Sequence, residues 1–501
     1  MNRGKVILVG AGPGGAELLT LRGAAAISEA DVVVFDRLVS DEILDMIPET
    51  TECIFVGKES GNHPVPQRKI NEILLKCALD GKITVRLKGG DSFLFGRGGE
   101  ELELLAQYGI PFEVVPGITS AFAVPAYAGI PVTHRDFCSS VHIITGHSRS
   151  DGELSIDFDA LVKTRGTLVF LMSIATMDAI TSGLLAAGME RDMPAAVVEN
   201  GARPSQRVTR GTIADICEIV QERNVKSPAL LVVGRVCELH ERFDWFGALP
   251  LKGRRIVVTR PRDRAGTLTA RLKALGAEVL GYPCIETRFI EDNVTAEKAL
   301  KSLNNYAWLA VTSPQGVMSL ARLLETLKLD ARSLAPVKIA AIGNETAAAL
   351  KKLGLRADYV PEVYNAIALA NGLSERVGSD SRVLILRAVG GTPELCEILR
   401  KNGIEYDDIA VYATHYVSEK SAGIAAAIRG GAVDYVCFTS VSTVCGFTGS
   451  LKGVDFTGLK AVCIGTATEK EALKYGFNTV TPTNATLDAM IDMMIKETEI
   501  K

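Results

Sequence analysis

Residues 84–101 read TVRLKGGDSFLFGRGGEE, and the fold of the first half turns on this stretch. A β-branched, strand-like run through Thr84, Val85 and Leu87 passes directly into two glycine pairs, Gly89-Gly90 and Gly98-Gly99. Between the pairs lie an acid (Asp91), two aromatics (Phe93, Phe95) and a base (Arg97), with Glu100 and Glu101 following. Glycine lets a backbone approach a ligand closely, or adopt positive φ, without the penalty of a Cβ. A strand running into such a loop is where α/β proteins place binding sites, at the carboxyl ends of their strands. The plainer alternative is a β-turn leading into a helix N-cap, and so many converging polar groups weigh against it.

Upstream, residues 6–23 read VILVGAGPGGAELLTLRG: a strand, a tight glycine loop, then a helix opening near Ala16. Gly10, Gly12 and Gly15 fit GxGxxG, and Asp36 ends the next strand, Val32–Phe35, about 20 residues on, as in a dinucleotide fingerprint. Taken alone, this predicts a flavin- or nicotinamide-dependent oxidoreductase. The segments after Asp36 fit it poorly: a polar, proline-punctuated loop (Gly57–Gln67), a helix at Arg68–Leu79, the opening stretch, and a helix at Glu100–Tyr108. A strand at Phe112–Val115, PGITSA at Pro116–Ala121, AYAGIPVTHRD at Ala126–Asp136 and a strand at Val141–Thr145 come next. Strands and helices alternate, so the class is α/β. Strand-like runs at Leu168–Leu171, Ala195–Glu199 and Ala229–Val233 alternate with helices at Thr176–Ala187 and Ile213–Arg223 and read as a second lobe. Gly201 and Gly234 follow strands and are placed on the ligand side. The segment Arg242–Pro250 reads as a linker whose aromatics can dock on a lobe.

A chain of 501 residues exceeds one core, and two to four domains, roughly, are expected. With 47% hydrophobic and 23% charged residues it is globular, not disordered. A net charge of −4 gives no support to nucleic-acid or anionic-membrane binding. Ten cysteines are scattered without a CxxC pair, which argues against zinc and for reduced thiols in a cytoplasm. No secretory segment or 18-residue apolar span is visible, so no export or membrane insertion is expected.

The stretches VGAGPGGAELLTLRG, FDRLVS, GKESGNHPVPQRKIN, VRLKGGDSFLFGRGGEE, PGITSA, AYAGIPVTHRD and FLMSI occur in that order. Together they resemble uroporphyrinogen-III C-methyltransferase, of the tetrapyrrole methylase family. Departures are Phe35, where Tyr is usual, and Ser92, where Pro is usual. The resemblance implies S-adenosyl-L-methionine, folded in a cleft between two α/β lobes. Carried over, its contacts are Pro13, Gly89, Gly90, Asp91, Leu94, Thr119, Ser120, Met172 and Gly201, with Asp91 on ribose hydroxyls or the aminoacyl ammonium. The cofactor has no phosphate, so the Gly10–Gly15 loop need not cradle one. The implied chemistry is methyl transfer to an electron-rich pyrrole carbon, for which a protein supplies alignment, water exclusion and proton management. The family suggests Asp36 as proton acceptor and Lys58 as proton donor. For a substrate bearing eight carboxylates, Arg97 and Arg135 are the expected clamps, with Glu100 near a pyrrole N–H. Core packing for Leu94 and Met172, an N-cap for Asp36 and a solvated Lys58 are the plain alternatives.

From residue 254 an internal repeat appears, with a period of roughly 125 residues. YAWLAVTSPQGV (Tyr306–Val317) matches DYVCFTSVSTV (Asp434–Val444), and VKIAAIGNETAAALKKLG (Val337–Gly354) matches LKAVCIGTATEKEALKYG (Leu459–Gly476). Two copies of strand, polar loop and helix imply two similar lobes facing a cleft. Thr312-Ser313, Thr439-Ser440, Gly343-Asn344 and Gly465-Thr466 then fall at strand ends, where a hydroxyl is otherwise simply an N-cap.

This order resembles uroporphyrinogen-III synthase over residues 251–501. The resemblance implies two lobes, 251–285 with 416–501 and 288–412, joined by strands crossing near Glu278–Arg288 and Asp407–Val417. It implies closure of hydroxymethylbilane to uroporphyrinogen III with inversion of the last pyrrole. Tyr412, in VYAT, resembles the tyrosine that helps the hydroxyl leave, and Thr346, Ser440 and Thr466 are further substrate contacts. Arg260, Arg262, Arg264 and Arg387 bind carboxylates or are solvated.

The expected architecture is therefore a two-lobed tetrapyrrole methylase, residues 1–245, followed by a two-lobed, internally duplicated α/β synthase module. The joint activity leads through two methylations, at C2 and C7, to precorrin-2, with small-molecule tetrapyrroles as partners, no metal, and a homodimer formed through the methyltransferase half. Competing readings are an FAD/NAD oxidoreductase with a two-lobed ligand-binding module, and a non-catalytic ligand sensor.

Overall fold

The computed structural model describes residues 4–57, 65–146, 154–260, 262–378, 381–417 and 421–499. The chain divides into two compact units. The first holds Met1–Arg254 with Leu272–Glu278 and Thr498–Lys501; the second holds Arg255–Arg271 and Val279–Glu497.

The first unit begins with a sheet of β1 (Lys5–Gly10), β2 (Val32–Phe35), β3 (Glu52–Phe55), β4 (Ile83–Lys88) and β5 (Phe112–Val115), in the order β3-β2-β4-β1-β5. Every pairing is parallel, and a parallel sheet must be covered on both faces. On one face Val6, Leu8, Val32 and Val34 meet helices Gln67–Leu79 and Gly98–Gln107 through Ile70, Leu74, Leu102 and Leu105. On the other, Ile7, Val9, Val33, Val85 and Leu87 meet Ala26 and Ile27 of helix Leu21–Ser28.

This order overturns the dinucleotide reading. There the acid ends the strand beside the glycine loop, but here β4 lies between β1 and β2. The loop does not open a helix at Ala16 either: a single 3₁₀ turn, Ala16–Leu18, comes first, and the α-helix starts at Leu21.

The second sheet contains β6 (Val141–Thr145), β7 (Thr167–Leu171), β8 (Pro194–Glu199), β9 (Arg207–Thr212) and β10 (Ala229–Val233), ordered β6-β7-β10-β8-β9. Only β6 and β7 pair in parallel; β10 runs against both its neighbours. The ends of β7 and β8 therefore share one edge, and Gly234, after β10, lies at the other, beside Thr167 and donating to the Pro194 carbonyl at 2.9 Å. Its expected place on the ligand side is corrected by that antiparallel pairing. β9 is an edge strand, RVTRGT, too polar to be expected from sequence. The aromatics of 242–250 do dock: Trp245 Nε1 donates to the Ala126 carbonyl at 3.0 Å and Phe246 lies edge-on to Tyr127 at 4.9 Å.

The second unit has β11 (Arg255–Val258), β12 (Glu278–Gly281), β13 (Ile285–Phe289), β14 (Trp308–Val311), β15 (Lys338–Ala341), β16 (Arg382–Ala388), β17 (Glu405–Tyr416), β18 (Tyr435–Phe438), β19 (Lys460–Cys463) and β20 (Asn478–Val480). Its two sheets run β12-β11-β18-β19-β20 and β13-β17-β16-β14-β15. Replacing each strand by its sequence repeat turns β12-β11-β18-β19 into β17-β16-β14-β15, so the duplication is structural. In each of these four-strand runs one adjacent pair comes from the first repeat and the other from the second. The long β17 is parallel to β16 from Glu405 to Tyr412, with a register shift opposite Arg387/Ala388, and runs antiparallel to β13 from Tyr412 to Tyr416. The crossing thus starts at Tyr412, not near Asp407, because Glu405–Ala410 still belong to the parallel sheet. Among the described residues no helix is long and apolar enough to cross a membrane.

Candidate active site

Three glycines meet at the carboxyl ends of β1, β4 and β5. A Cβ on Gly117 would stand 2.2 Å from the Gly90 carbonyl oxygen, and one on Gly10 would stand 2.5 Å from the Gly117 nitrogen. Two reciprocal bonds tie the loops together: Gly90 N donates to Gly12 O at 2.8 Å and Gly12 N to Gly90 O at 3.1 Å. Gly12 and Gly90 both have positive φ, 74° and 70°, which only glycine takes freely. Above Gly90 the space is open, the nearest atom to a built Cβ being Ser120 N at 4.0 Å. This is a backbone cradle that any side chain would fill. Gly89 and half-buried Pro13 flank it. Thr119 caps helix Ser120–Tyr127, its Oγ1 accepting from Ala121 N at 3.2 Å.

Asp91 binds main-chain amides of its own loop and of the loop after β5. Its Oδ1 accepts from Phe93 N (2.8 Å) and Leu94 N (3.1 Å), and its Oδ2 from Gly117 N (2.9 Å). The carboxylate shapes the loop and pins it to β5, so its first task is structural. Leu94 packs against a buried cluster that includes Ala121, Val124, Leu171 near the end of β7 and Val198 near the end of β8. A Cβ on Gly201 would overlap Val124 Cγ1 at 2.2 Å, so glycine there permits this close approach. Phe95, Arg97, Met172, Asn200 and Ala202 all sit at positive φ. Such strain persists where the surroundings over-determine the backbone, characteristically at ligand clamps. Met172 is also 51% exposed, so the core-packing alternative does not describe it.

Asp36, at the end of β2, accepts from Leu38 N at 3.1 Å and from Arg86 Nη2 at 3.3 Å. Arg86 Nε and Lys88 Nζ reach Glu101 Oε1 at 3.2 and 2.7 Å, all three side chains being buried. Burial, with Arg86 next to it, pulls the Lys88 ammonium below its ordinary value, against Glu101, which raises it. None of Arg86, Lys88 and Glu101 was singled out from sequence. A signal was present: Thr84, Arg86 and Lys88 alternate on one face of a strand that a parallel sheet buries on both sides.

Arg97 and Glu100, half exposed, pair at 2.6 Å. The Arg97 guanidinium holds the Glu100 carboxyl below the usual range. Arg135 is exposed. Lys58 lies outside the described residues.

In the second unit, Tyr412 and Ser313 come together, hydroxyl to hydroxyl at 2.8 Å, and Ser313 also caps helix Pro314–Thr326 by accepting from Gly316 N at 3.0 Å. Ser440 caps helix Val441–Ser450 through a reciprocal box with Thr443, and exposed Thr466 opens helix Thr466–Leu473 after β19. These two belong to the other sheet's strand ends. Thr346, in the first turn of helix Asn344–Lys352, is buried, at 1% exposure. Arg387 is neither solvated nor free for a ligand, being held by Asp408 at 2.6 Å and by the Thr392 carbonyl.

A glycine cradle beside a charged strand end, followed by a duplicated unit with hydroxyls at its strand ends, gives the chain two separate candidate sites. Residues 5–217 match the Tetrapyrrole (Corrin/Porphyrin) Methylases, and residues 266–492 match Uroporphyrinogen-III synthase HemD. The porphyrin biosynthesis protein HemD of Ruminiclostridium josui is 49% identical over 496 residues, covering 99% of this chain and 98% of that protein. The chain belongs to this family, a methyltransferase fused to a uroporphyrinogen-III synthase. The siroheme synthase of Salmonella typhimurium is 53% identical over 245 residues, 49% of this chain and 53% of that protein, so the match spans about half of that relative. A uroporphyrin-III C-methyltransferase from Thermus thermophilus, solved with S-adenyl homocysteine, is 37% identical, covering 47% of this chain and all of its own, with a TM-score of 0.41. The methylase family uses S-adenosylmethionine. The open backbone over Gly90 is compatible with a flat, phosphate-free ligand. Neither matched family is one of oxidoreductases.

Proposed function

We propose that the second unit closes hydroxymethylbilane to uroporphyrinogen III and that the first methylates this product at C2 and C7, giving precorrin-2. The functional division is 1–245 and 251–501, the latter as lobes 251–285 with 416–501 and 288–412. The enzyme works in the cytoplasm as a homodimer formed through the methyltransferase half.

The observation that carries the methyltransferase reading is the glycine cradle of β1, β4 and β5, with Asp36 ending β2 on the same side of the sheet. Pro13, Gly89, Gly90, Asp91, Leu94, Thr119, Ser120, Met172 and Gly201 would hold S-adenosylmethionine, which supplies an electrophilic methyl group. Exposed apolar side chains on the surrounding loops, Leu38, Phe93, Phe95 and Ile118, suit a macrocycle and exclude water from it. Arg97, paired with Glu100 across an exposed contact, can exchange that partner for a substrate carboxylate, leaving Glu100 to meet a pyrrole N–H. Arg135 is placed as the second clamp. Asp36 takes the proton lost from the methylated ring, and Lys58 returns one. In the synthase, Tyr412, oriented by Ser313, assists the departing hydroxyl, while Ser440 and Thr466 bind from the facing lobe.

Anaerobic incubation of the full chain with hydroxymethylbilane, with and without S-adenosylmethionine, tests both activities. Type III ring without the cofactor and doubly methylated product with it are expected. Type I ring alone overturns the synthase reading, and unmethylated product from supplied uroporphyrinogen III overturns the other. Arg97→Ala is expected to lose methylation while still binding S-adenosylmethionine; unchanged turnover removes Arg97 from the site.

A further inference from the structure

Glu101 follows Glu100 on helix Gly98–Gln107, but where Glu100 is half exposed, Glu101 is completely buried beneath β4. Three donors converge on its Oε1: Lys88 Nζ at 2.7 Å, Arg86 Nε at 3.2 Å and Gln67 Nε2 at 3.2 Å. Its Oε2, equally buried, has no partner among the described residues. The Arg86 guanidinium is occupied on every side, with Nε on Glu101, Nη1 on the carbonyls of Val34 (3.4 Å) and Leu87 (3.0 Å), and Nη2 on Asp36. A planar fork held in this way has no free rotation. The direction of its Nη2, and so the seat of the Asp36 carboxylate, is set by where Glu101 stands.

The same carboxylate also accepts from a second helix. Gln67 begins the helix that comes after residue 58, and Asn71 of that helix donates to the Glu100 carbonyl at 2.9 Å. Burying two cations and an anion costs several kcal/mol that a packed apolar core would not, roughly, incur. Such a cluster is poor value for stability alone.

We propose that Glu101 is a positioning residue for methyl transfer, which through Arg86 sets the Asp36 carboxylate against the substrate. This rests on the reading that Asp36 is the proton acceptor. Glu101 does not meet the substrate; it fixes the group that does.

The test compares Glu101→Gln, Asp36→Asn and the double variant in the full chain, with uroporphyrinogen III and S-adenosylmethionine. Glu101→Gln is expected to lower kcat about tenfold or more while substrate KM and cofactor Kd stay within about threefold, since only positioning is lost. In the Asp36→Asn background the same change is expected to cost less than about twofold, since residues acting through one another are not additive. A full loss in that background overturns the proposal and leaves the Asp36 reading intact. Wild-type methylation by Asp36→Asn overturns that reading and the proposal with it. If Asp36→Asn has no measurable turnover, Arg86→Lys decides, because it keeps the charge and loses the fork. A kcat loss matching that of Glu101→Gln supports the proposal, and wild-type kcat overturns it. If Glu101→Gln no longer binds the cofactor, the charge-balanced Lys88→Met/Glu101→Gln variant takes its place. Loss of binding there too shows a role in folding only and overturns the proposal.

Discussion

Gly117→Ala inserts a methyl group where three strand ends meet. The new carbon would lie 2.2 Å from Gly90 O and 2.6 Å from both Gly10 C and Gly10 Cα, all of them main-chain atoms that no rotamer change can clear. Ordinary carbon–oxygen contact is about 3.3 Å or more, so the loop after β5 must retreat from the Gly90 loop by roughly 1 Å. Overpacking of this kind costs about 1–3 kcal/mol. Parting the loops also weakens the two Gly12–Gly90 hydrogen bonds, each of which contributes about 1 kcal/mol. The expected sum of ~2–4 kcal/mol lowers the melting temperature of the first unit by roughly 5–12 °C. Scanning calorimetry of the full chain reads that shift. Titration with S-adenosylhomocysteine is expected to show at least about tenfold weaker binding, since a 1 Å misplacement is felt at the ligand. Gly99→Ala is the matched control: nothing lies within 4 Å of its built Cβ, and alanine in a helix is worth about 0.5–1 kcal/mol over glycine. Wild-type melting and wild-type affinity in Gly117→Ala would refute the cradle.

Ser92 is fully buried and its hydroxyl has no partner among the described residues, so Ser92→Ala is expected to stabilise the first unit by about 1 kcal/mol; a lower melting temperature would contradict this. Glu113 accepts from Lys5 and Arg22, and these cations hold its carboxyl down at about 2 from the ordinary 4.5. The stabilisation is therefore present above pH 4.5 and lost as pH falls towards 2. Acid unfolding of Glu113→Gln is expected to be correspondingly flatter in that window, and parallel curves for the two proteins would exclude it. Tyr412→Phe is expected to slow formation of the type III ring. Ser313→Ala is expected to do so less, with a loss of about 1 kcal/mol from the missing N-cap. An isomer assay with wild-type rates for Tyr412→Phe removes that hydroxyl from the reaction.

The strands, the glycine loops and the duplication were legible in the sequence because each is a local property. Apolar runs, paired glycines and repeated strand–loop–helix signatures depend on neighbours a few residues apart, and β5, β6 and β10 fall on their expected bounds. So did the clustering of Gly89, Gly90, Thr119 and Ser120 at strand ends. Which strand lies beside which is set by long-range burial, which no short pattern encodes. Tertiary structure alone inserted β4 between β1 and β2, and thereby turned a dinucleotide-like fingerprint into one wall of a three-strand cradle. It reversed β10, moving Gly234 to the far edge, and it kept β17 in parallel pairing with β16 as far as Tyr412. Side-chain roles diverged for the same reason. The Asp91 carboxylate meets three amides, one of them 26 residues away, Tyr412 finds Ser313 across 99 residues, and Glu101 meets Gln67, Arg86 and Lys88 only after two helices pack on β4. The sequence by itself determined where the backbone can bend and approach a ligand. Only the packed sheet decided which polar groups remain available to that ligand, because a buried charge must be met by whatever partner the fold brings to it.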